Sequence, residues 1–379
     1  KNRSNASIKS RKFKCPFFVR GKKVYFAEFL DSFGGGYNLG IELLRSIACF
    51  TVVLVHFGGA SGLPTDIQAV FVNSSMFPVP AFMFLSFFFM QDFFLNSNGE
   101  KIKKRLVRLL VPYIFWPLIY FLCFNAVNIF LSKNCGLPLR ALFWQLSFGT
   151  YRKFNSPLWF QVVLIFLTLI YLALFKFMNV KKAVCIVSTS IFLALLLEYS
   201  GLNYRIFSPL RYEMRYPLGR FCEMLPYAAL GFLCSYYGIF ERLRQNKTIA
   251  LIMSGTFLLI LLRMALLPTA AGFGYSVGNC IPLVFFLVVF SYFLPLEHLP
   301  TALKSMLSFC TRYTLGIYCM HMLAGRLLDA LLHACNINLN RFLFCIIVYE
   351  VCFVFSFCIA GLGRMSKKKP VRIFTHLVE

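Results

Sequence analysis

Histidine and arginine side chains set inside otherwise apolar runs are the groups in this 379-residue chain best suited to chemistry. Ionisable groups are costly in hydrocarbon, so they usually face a bundle interior or a water-filled cavity. The run NLGIELLRSIACFTVVLVHFGG carries Glu42, Arg45 and His56. Arg45 and His56 are separated by eleven positions, which puts both on one face of a helix, roughly 16 Å apart along its axis. Glu42, three residues before Arg45, is spaced to pair with it. An imidazole and a guanidinium on one helix face suit proton transfer and anion contact respectively. The plainer alternative is that Arg45 snorkels to one interface while His56 sits among headgroups at the outer one.

Five further groups stand out. His321 lies in YTLGIYCMHM, about eight residues inside its run, followed by Arg326 and Asp329. Glu350 lies inside a later run, with Arg326 as a candidate partner. Ser86 is a lone hydroxyl in PVPAFMFLSFFFMQDFFL, where helix packing is the simple explanation. In KIKKRLVRLLVPY, Arg105 and Arg108 are one turn apart and suit the phosphates of a nucleotide-bearing donor, although ordinary loop charge also accounts for the lysines. Segment 200–220 holds Arg205, Arg211, Arg215 and Arg220, with Glu223 just beyond. These arginines fit an anionic glycan or a lipid pyrophosphate, or else lipid headgroups. Phosphate-loop, nucleophile-elbow, zinc-protease and calcium-loop patterns are absent from the sequence. The 14 cysteines are scattered through apolar runs without a CxxC pair, so they read as packing residues, with neither a disulfide framework nor a metal site expected.

These groups need an apolar frame to hold them. The chain is 59% hydrophobic with 46 phenylalanines, only 14% charged, and has a mean hydropathy of +0.71. That balance is too apolar for a soluble domain and predicts an all-α polytopic membrane protein with about ten transmembrane helices. The segments are Leu39–Gly59, Val79–Leu95, Leu106–Leu131, Pro157–Met178, Ala183–Tyr199, Phe221–Gly238, Thr248–Leu267, Asn279–Leu296, Tyr313–His333 and Phe342–Gly363. A net charge of +25 lies mostly in the short connections, where an orientation bias would put it, so nucleic acid is not an expected partner. Lys and Arg clusters at Lys101–Arg105, Lys181–Lys182, Arg242–Lys247 and both ends of the chain fall on one side of such an arrangement. Residues 1–38 and 364–379 are therefore expected as cytoplasmic basic tails around a membrane domain at 39–363, with membrane lipids as partners.

The order of these residues resembles acyltransferase family 3. The matching features are Glu42-Leu43-Leu44-Arg45 followed by His56, the run Phe84-Leu85-Ser86-Phe87-Phe88 with Phe87 where the family has glycine, and the pair Arg105 and Arg108. Leu158-Trp159-Phe160 and Leu315-Gly316-Ile317-Tyr318 with His321 complete the set. The resemblance is to the stand-alone branch, and it implies transfer of an acyl group, usually acetyl from cytoplasmic acetyl-CoA, to a hydroxyl of a cell-surface or lipid-linked glycan. It implies residence in the inner membrane of a bacterial cell. In that reading His56 deprotonates the sugar hydroxyl or carries the acyl group transiently. Arg45, oriented by Glu42, serves the donor's path or the developing oxyanion, and His321 is a second candidate base. Arg105, Arg108 and Ser86 take the donor side, while Arg211, Arg215, Arg220 and Glu223 take the acceptor side. No metal cofactor is expected.

Two rivals are readable in the same residues. Polar groups at both ends of one helix also suit a glycan or small-molecule transporter or flippase, but no internal repeat accompanies them. A glycan polymerase or ligase would also use outer arginines, yet the 200–220 segment is modest in size.

Overall fold

The computed structural model describes residues 16–19, 22–25, 38–58, 75–96, 99–130, 136–151, 157–266 and 277–365, together with 61, 63–64, 67–68, 71, 375 and 377–378. Most of the basic N-terminal residues, and 366–374, lie outside the described residues. Over their described residues the ten apolar segments are largely helical, because runs of this length satisfy their backbone groups internally only as helix. In chain order the helices are α1 Leu39–His56, α2 Pro78–Phe89, α3 Gln91–Asn96, α4 Gly99–Phe130, α5 Leu139–Phe148, α6 Trp159–Phe177, α7 Val180–Tyr199 and α8 Leu202–Phe207. They continue as α9 Tyr212–Tyr236, α10 Ile239–Gln245, α11 Lys247–Leu266, α12 Val277–Phe293, α13 Thr301–Arg312, α14 Thr314–Ala334 and α15 Arg341–Met365. Among the described residues, six helices are long and apolar enough to cross a membrane: α1, α4, α6, α7, α14 and α15. Shorter apolar helices fall in α2, α11 and α12.

Three local departures from the sequence expectation have physical causes. Strands β1 (Pro16–Val19) and β2 (Lys22–Tyr25) form an antiparallel hairpin in register Pro16↔Tyr25, within the stretch expected as a tail. The arginines of 200–220 are mostly helical rather than in a loop: Arg205 is in α8, and Arg215 and Arg220 belong to α9, which starts nine residues before the apolar run does. Charge hides a helix from an apolar-run search. Finally, Leu377 and Val378 are buried in the bundle, at 1% and 0% exposure, instead of trailing from it.

Helix α1 sits at the centre, packed against α2, α12, α13, α14 and α15. It is started by Asn38, whose side chain accepts from Ile41 N–H at 3.1 Å. It stops at Phe57–Gly58, where Gly58 takes φ +65°, a left-handed conformation that suits glycine. Prolines 112 and 117 inside α4, and 217 and 226 inside α9, fall in long helices where neighbouring elements compensate the lost bonds. Lipid offers no hydrophobic drive for helices to associate, so close packing must supply it. The Phe87, Phe94, Tyr171, Phe175 and Phe232 rings form one such cluster joining α2, α3, α6 and α9. Phe87, in the family's glycine position, is fully buried in it.

The α2–α9 crossing brings two backbones into direct contact. A Cβ on Gly231 would stand 2.1 Å from the Phe84 carbonyl oxygen, so only glycine lets the two backbones meet. Gly231→Val is expected to destabilise the bundle by about 1–3 kcal/mol or more through overpacking. A thermal-unfolding midpoint unchanged in detergent would contradict that.

Candidate functional site

Two histidines from distant parts of the sequence meet where α1 ends. The His56 and His321 rings lie 5.1 Å apart, tilted by 42°. Helices α1 and α14 run parallel: Arg45 donates to Thr314 Oγ1 at 3.4 Å and the Cys49 thiol approaches the Thr314 carbonyl at 3.5 Å, one end of a contact whose other end is the histidine pair. His56 is the last residue of α1, but α14 continues thirteen residues past His321, about 20 Å. His56 therefore lies about 20 Å, measured along α14, short of that helix's far end.

The two imidazoles have different surroundings. His321 is fully buried, with Nδ1 at 2.7 Å from the Tyr318 carbonyl and 3.3 Å from that of Ile317. Carbonyls only accept, so Nδ1 carries the proton and Nε2 is left with a lone pair. Nε2 is buried and has no hydrogen-bond partner among the described residues. Such an anchored ring with a bare nitrogen is the arrangement a general base needs. His56 instead opens onto a cleft of about 390 Å³ lined by Phe57, Gly58, Ser61, Arg326, Asp329 and Arg341. Asp329 and Arg341 pair across its rim at 2.9 Å, and Arg326 lies over the Phe124 ring at 5.1 Å. Arg326 thus lines the cleft, whereas Glu350 is in electrostatic contact with Cys310 on α13.

Tyr120 on α4 ties the buried ring's helix in place. Its hydroxyl donates to the Cys319 carbonyl at 2.9 Å and accepts from Leu323 N–H at 3.0 Å. Those two groups are the pair an undisturbed α-helix joins to each other, so a side chain is wedged into the α14 ladder around His321. Nothing in the local sequence signals this role. Tyr120→Phe lets the ladder close and moves His321; a displacement near 1 Å predicts turnover lower by roughly 10–100-fold. The lost neutral bonds cost only about 0.5–1.5 kcal/mol each. Unchanged turnover in a folded variant would show that Tyr120 does not position the ring.

The opposite end of the α1–α4–α14 group is charged. Glu42, 6% exposed, accepts from Ser308 Oγ at 3.3 Å and lies in the field of Arg45 and Arg312. Arg45 is roughly 16 Å along α1 from His56 and at the first turn of α14, far from the imidazoles. Arg105 on α4 donates to Ser86 Oγ on α2 at 3.3 Å, and its Nε is buried without a partner among the described residues. Arg108, one turn on, is exposed. Ser86 therefore orients Arg105 rather than merely packing.

The remaining expected residues form a third group. Arg220 pairs with Glu223 and lies over Tyr216 at 4.9 Å and Trp159 at 5.7 Å, while Arg211 lies over Trp144 at 5.9 Å. Arg215 is half-buried on α9. Neighbouring Phe160 packs edge-on to Tyr318, and Tyr318 donates to the Pro157 carbonyl, so the start of α6 abuts α14 just below His321. The aromatic partners of these arginines were not anticipated from sequence, although a Trp and Tyr spacing around arginines is the signal that would have found them. Among the described residues there is no group of three or more His, Cys, Asp or Glu able to hold a metal ion.

A family model described as an acyltransferase domain matches residues 38–361, spanning all the helices from α1 through most of α15. Neither a curated protein nor a solved structure matches the chain.

Proposed function

The chain belongs to acyltransferase family 3 and is a membrane acyltransferase, and we propose that it moves an acetyl group from acetyl-CoA to a hydroxyl of a cell-surface or lipid-linked glycan. The observation that carries this reading is the histidine pair: one imidazole open to a cleft, its neighbour buried with a bare Nε2.

The chemistry follows from what each group can do. A sugar hydroxyl is a weak nucleophile at neutral pH and needs a base. His56 takes the hydroxyl proton of an acceptor lodged in the cleft. The freed oxygen attacks the thioester carbonyl, a C–O bond forms, the C–S bond breaks, and the coenzyme A thiolate leaves and takes up a proton. His321 supplies a second basic nitrogen beside His56. Arg105, held by Ser86, and Arg108 take donor phosphates through charge-assisted bonds. Arg45, near the first turn of α14, serves the donor's path; its distance from His56 argues against oxyanion contact. The Arg211, Arg215, Arg220 and Glu223 group, with Trp159 and Tyr216 beneath it, offers stacking and hydrogen bonding of the kind a saccharide takes. The basic loops argue for cytoplasmic termini, and the family resemblance points to the inner membrane of a bacterial cell.

The test is label transfer in nanodiscs from radiolabelled acetyl-CoA to an envelope glycan extract. Label recovered as an alkali-labile ester supports the proposal. Absence of transfer together with absence of coenzyme A binding overturns it and favours a transporter. Arg105→Ala is expected to weaken acetyl-CoA binding by about 10–100-fold, the worth of a charged hydrogen bond, without altering the cleft. Binding titrations that coincide for variant and wild type would remove Arg105 from the donor site.

A further inference from the structure

Two N–H donors lie between the charged end of α4 and the histidines. The inward stripe of α4 climbs from Arg105 through Trp116 to Tyr120 at successive near-whole turns. The Trp116 indole N–H donates to the Leu377 carbonyl at 3.2 Å. The N–H of Gly316, in the first turn of α14 where no intrahelical partner exists, donates to the Val378 carbonyl at 3.2 Å. Gly316 also lies hard against this segment: a Cβ there would lie 2.3 Å from Ser356 Oγ and 2.8 Å from Val378 Cβ. Gly316 and His321 stand five residues, about 7.5 Å, apart on α14. A chain reaching from Arg105 to His321 therefore passes the place that Leu377 and Val378 fill.

Polar atoms beside this path are left unsatisfied among the described residues: the Gln145 main chain takes the Tyr113 hydroxyl, three residues before Trp116, and Gln161 reaches Cys319, two residues before His321. Gln145 on α5 is fully buried, and neither its Nε2 nor its Oε1 has a partner among the described residues. Gln161 on α6, 2% exposed, meets only the Cys319 thiol through Nε2 at 3.5 Å, and its Oε1 is unpartnered. Buried amides normally find partners, so groups like these point to a ligand that carries its own donors and acceptors. Main-chain carbonyls fit Trp116 and Gly316 because they are amide carbonyls, and a pantetheine arm carries two secondary amides between its phosphates and its thioester.

We propose that Trp116 and Gly316 bind the amide carbonyls of the pantetheine arm of an acyl-CoA, and that the Leu377–Val378 segment holds this subsite until the donor displaces it. The inference rests on the acyl-CoA reading above. It makes donor binding a competition: apparent affinity falls by the fraction of molecules in which the segment is docked.

The experiment measures coenzyme A and pantetheine affinities for the full chain in nanodiscs. Val378→Lys, which cannot bury its charge, ejects the segment and is expected to tighten coenzyme A binding by about threefold or more. A chain ended after Arg372 provides the second variant should the lysine disturb the fold, with monodispersity and helical circular dichroism as the check. Adding Trp116→Phe to either variant is expected to weaken both ligands by roughly 2–10-fold, the worth of one neutral hydrogen bond. Arg105→Ala should weaken coenzyme A but leave pantetheine, which lacks the nucleotide phosphates, unaffected. Coenzyme A that binds wild type and folded variants alike, within twofold, overturns the shared subsite while leaving the donor assignment standing. Coenzyme A that binds none of them overturns both.

Discussion

His56→Ala is expected to lower acyl transfer by about 10²–10⁴-fold, the usual contribution of a positioned general base. The side chain is exposed at the floor of the cleft, so its truncation removes little packing, and folding should be nearly unchanged. Binding of acetyl-CoA at the Arg105 end should also be unaffected, since Arg105 donates to Ser86 on a different pair of helices. The expected signature is a fall in kcat with donor affinity intact. Full transfer by a folded His56→Ala protein would move the base to His321.

His321→Ala carries the second large effect, of similar size, for a different reason. Its ring is fully enclosed, anchored through Nδ1 to Tyr318, and in contact with Phe57 as well as His56. Deleting it removes the bare Nε2 and also opens a cavity, so a loss of stability accompanies the loss of rate. His321→Gln keeps much of the volume and separates the two: stability should recover while rate does not. If the imidazoles act as one unit, the double variant loses hardly more than either single one. Losses that multiply instead would mean the histidines work in independent steps.

How much of this was legible in the sequence varies with the physics involved. Apolar length alone marked α1, α4, α6, α7, α14 and α15, because hydrocarbon thickness dictates it. Helix α13 was invisible to the same search. Its apolar residues Leu303, Met306, Leu307 and Phe309 follow helical spacing, but Lys304, Ser305 and Ser308 dilute the run. Serine 308 is nonetheless the residue that reaches Glu42. The identities of Glu42, Arg45, His56, Arg105, Arg108 and His321 stood out because charge and imidazole are rare inside apolar runs. Their grouping did not. The eleven-residue spacing from Arg45 to His56 describes one helix, whereas the pairing of His56 with His321 depends on how α14 lies along α1. Tyr120, Gln145 and Gln161 are common residue types whose importance comes only from where their polar atoms end up. The same holds for Leu377 and Val378, where two ordinary apolar residues in a basic stretch turn inward to meet Trp116 and Gly316.

The histidine pair lies between Arg105 and Arg108 at one end and the cleft of Arg326, Asp329 and Arg341 at the other, which the proposal assigns to donor and acceptor respectively. A reaction centre approached from two sides makes a demand that a one-sided pocket does not. Sealed proteoliposomes, with radiolabelled acetyl-CoA on one face and the acceptor glycan on the other, test it most directly. Labelled ester is expected only when donor and acceptor occupy opposite faces, and it is expected to be lost in His56→Ala. Equal labelling with both substrates on the same face, or labelling that survives His56→Ala, would contradict it.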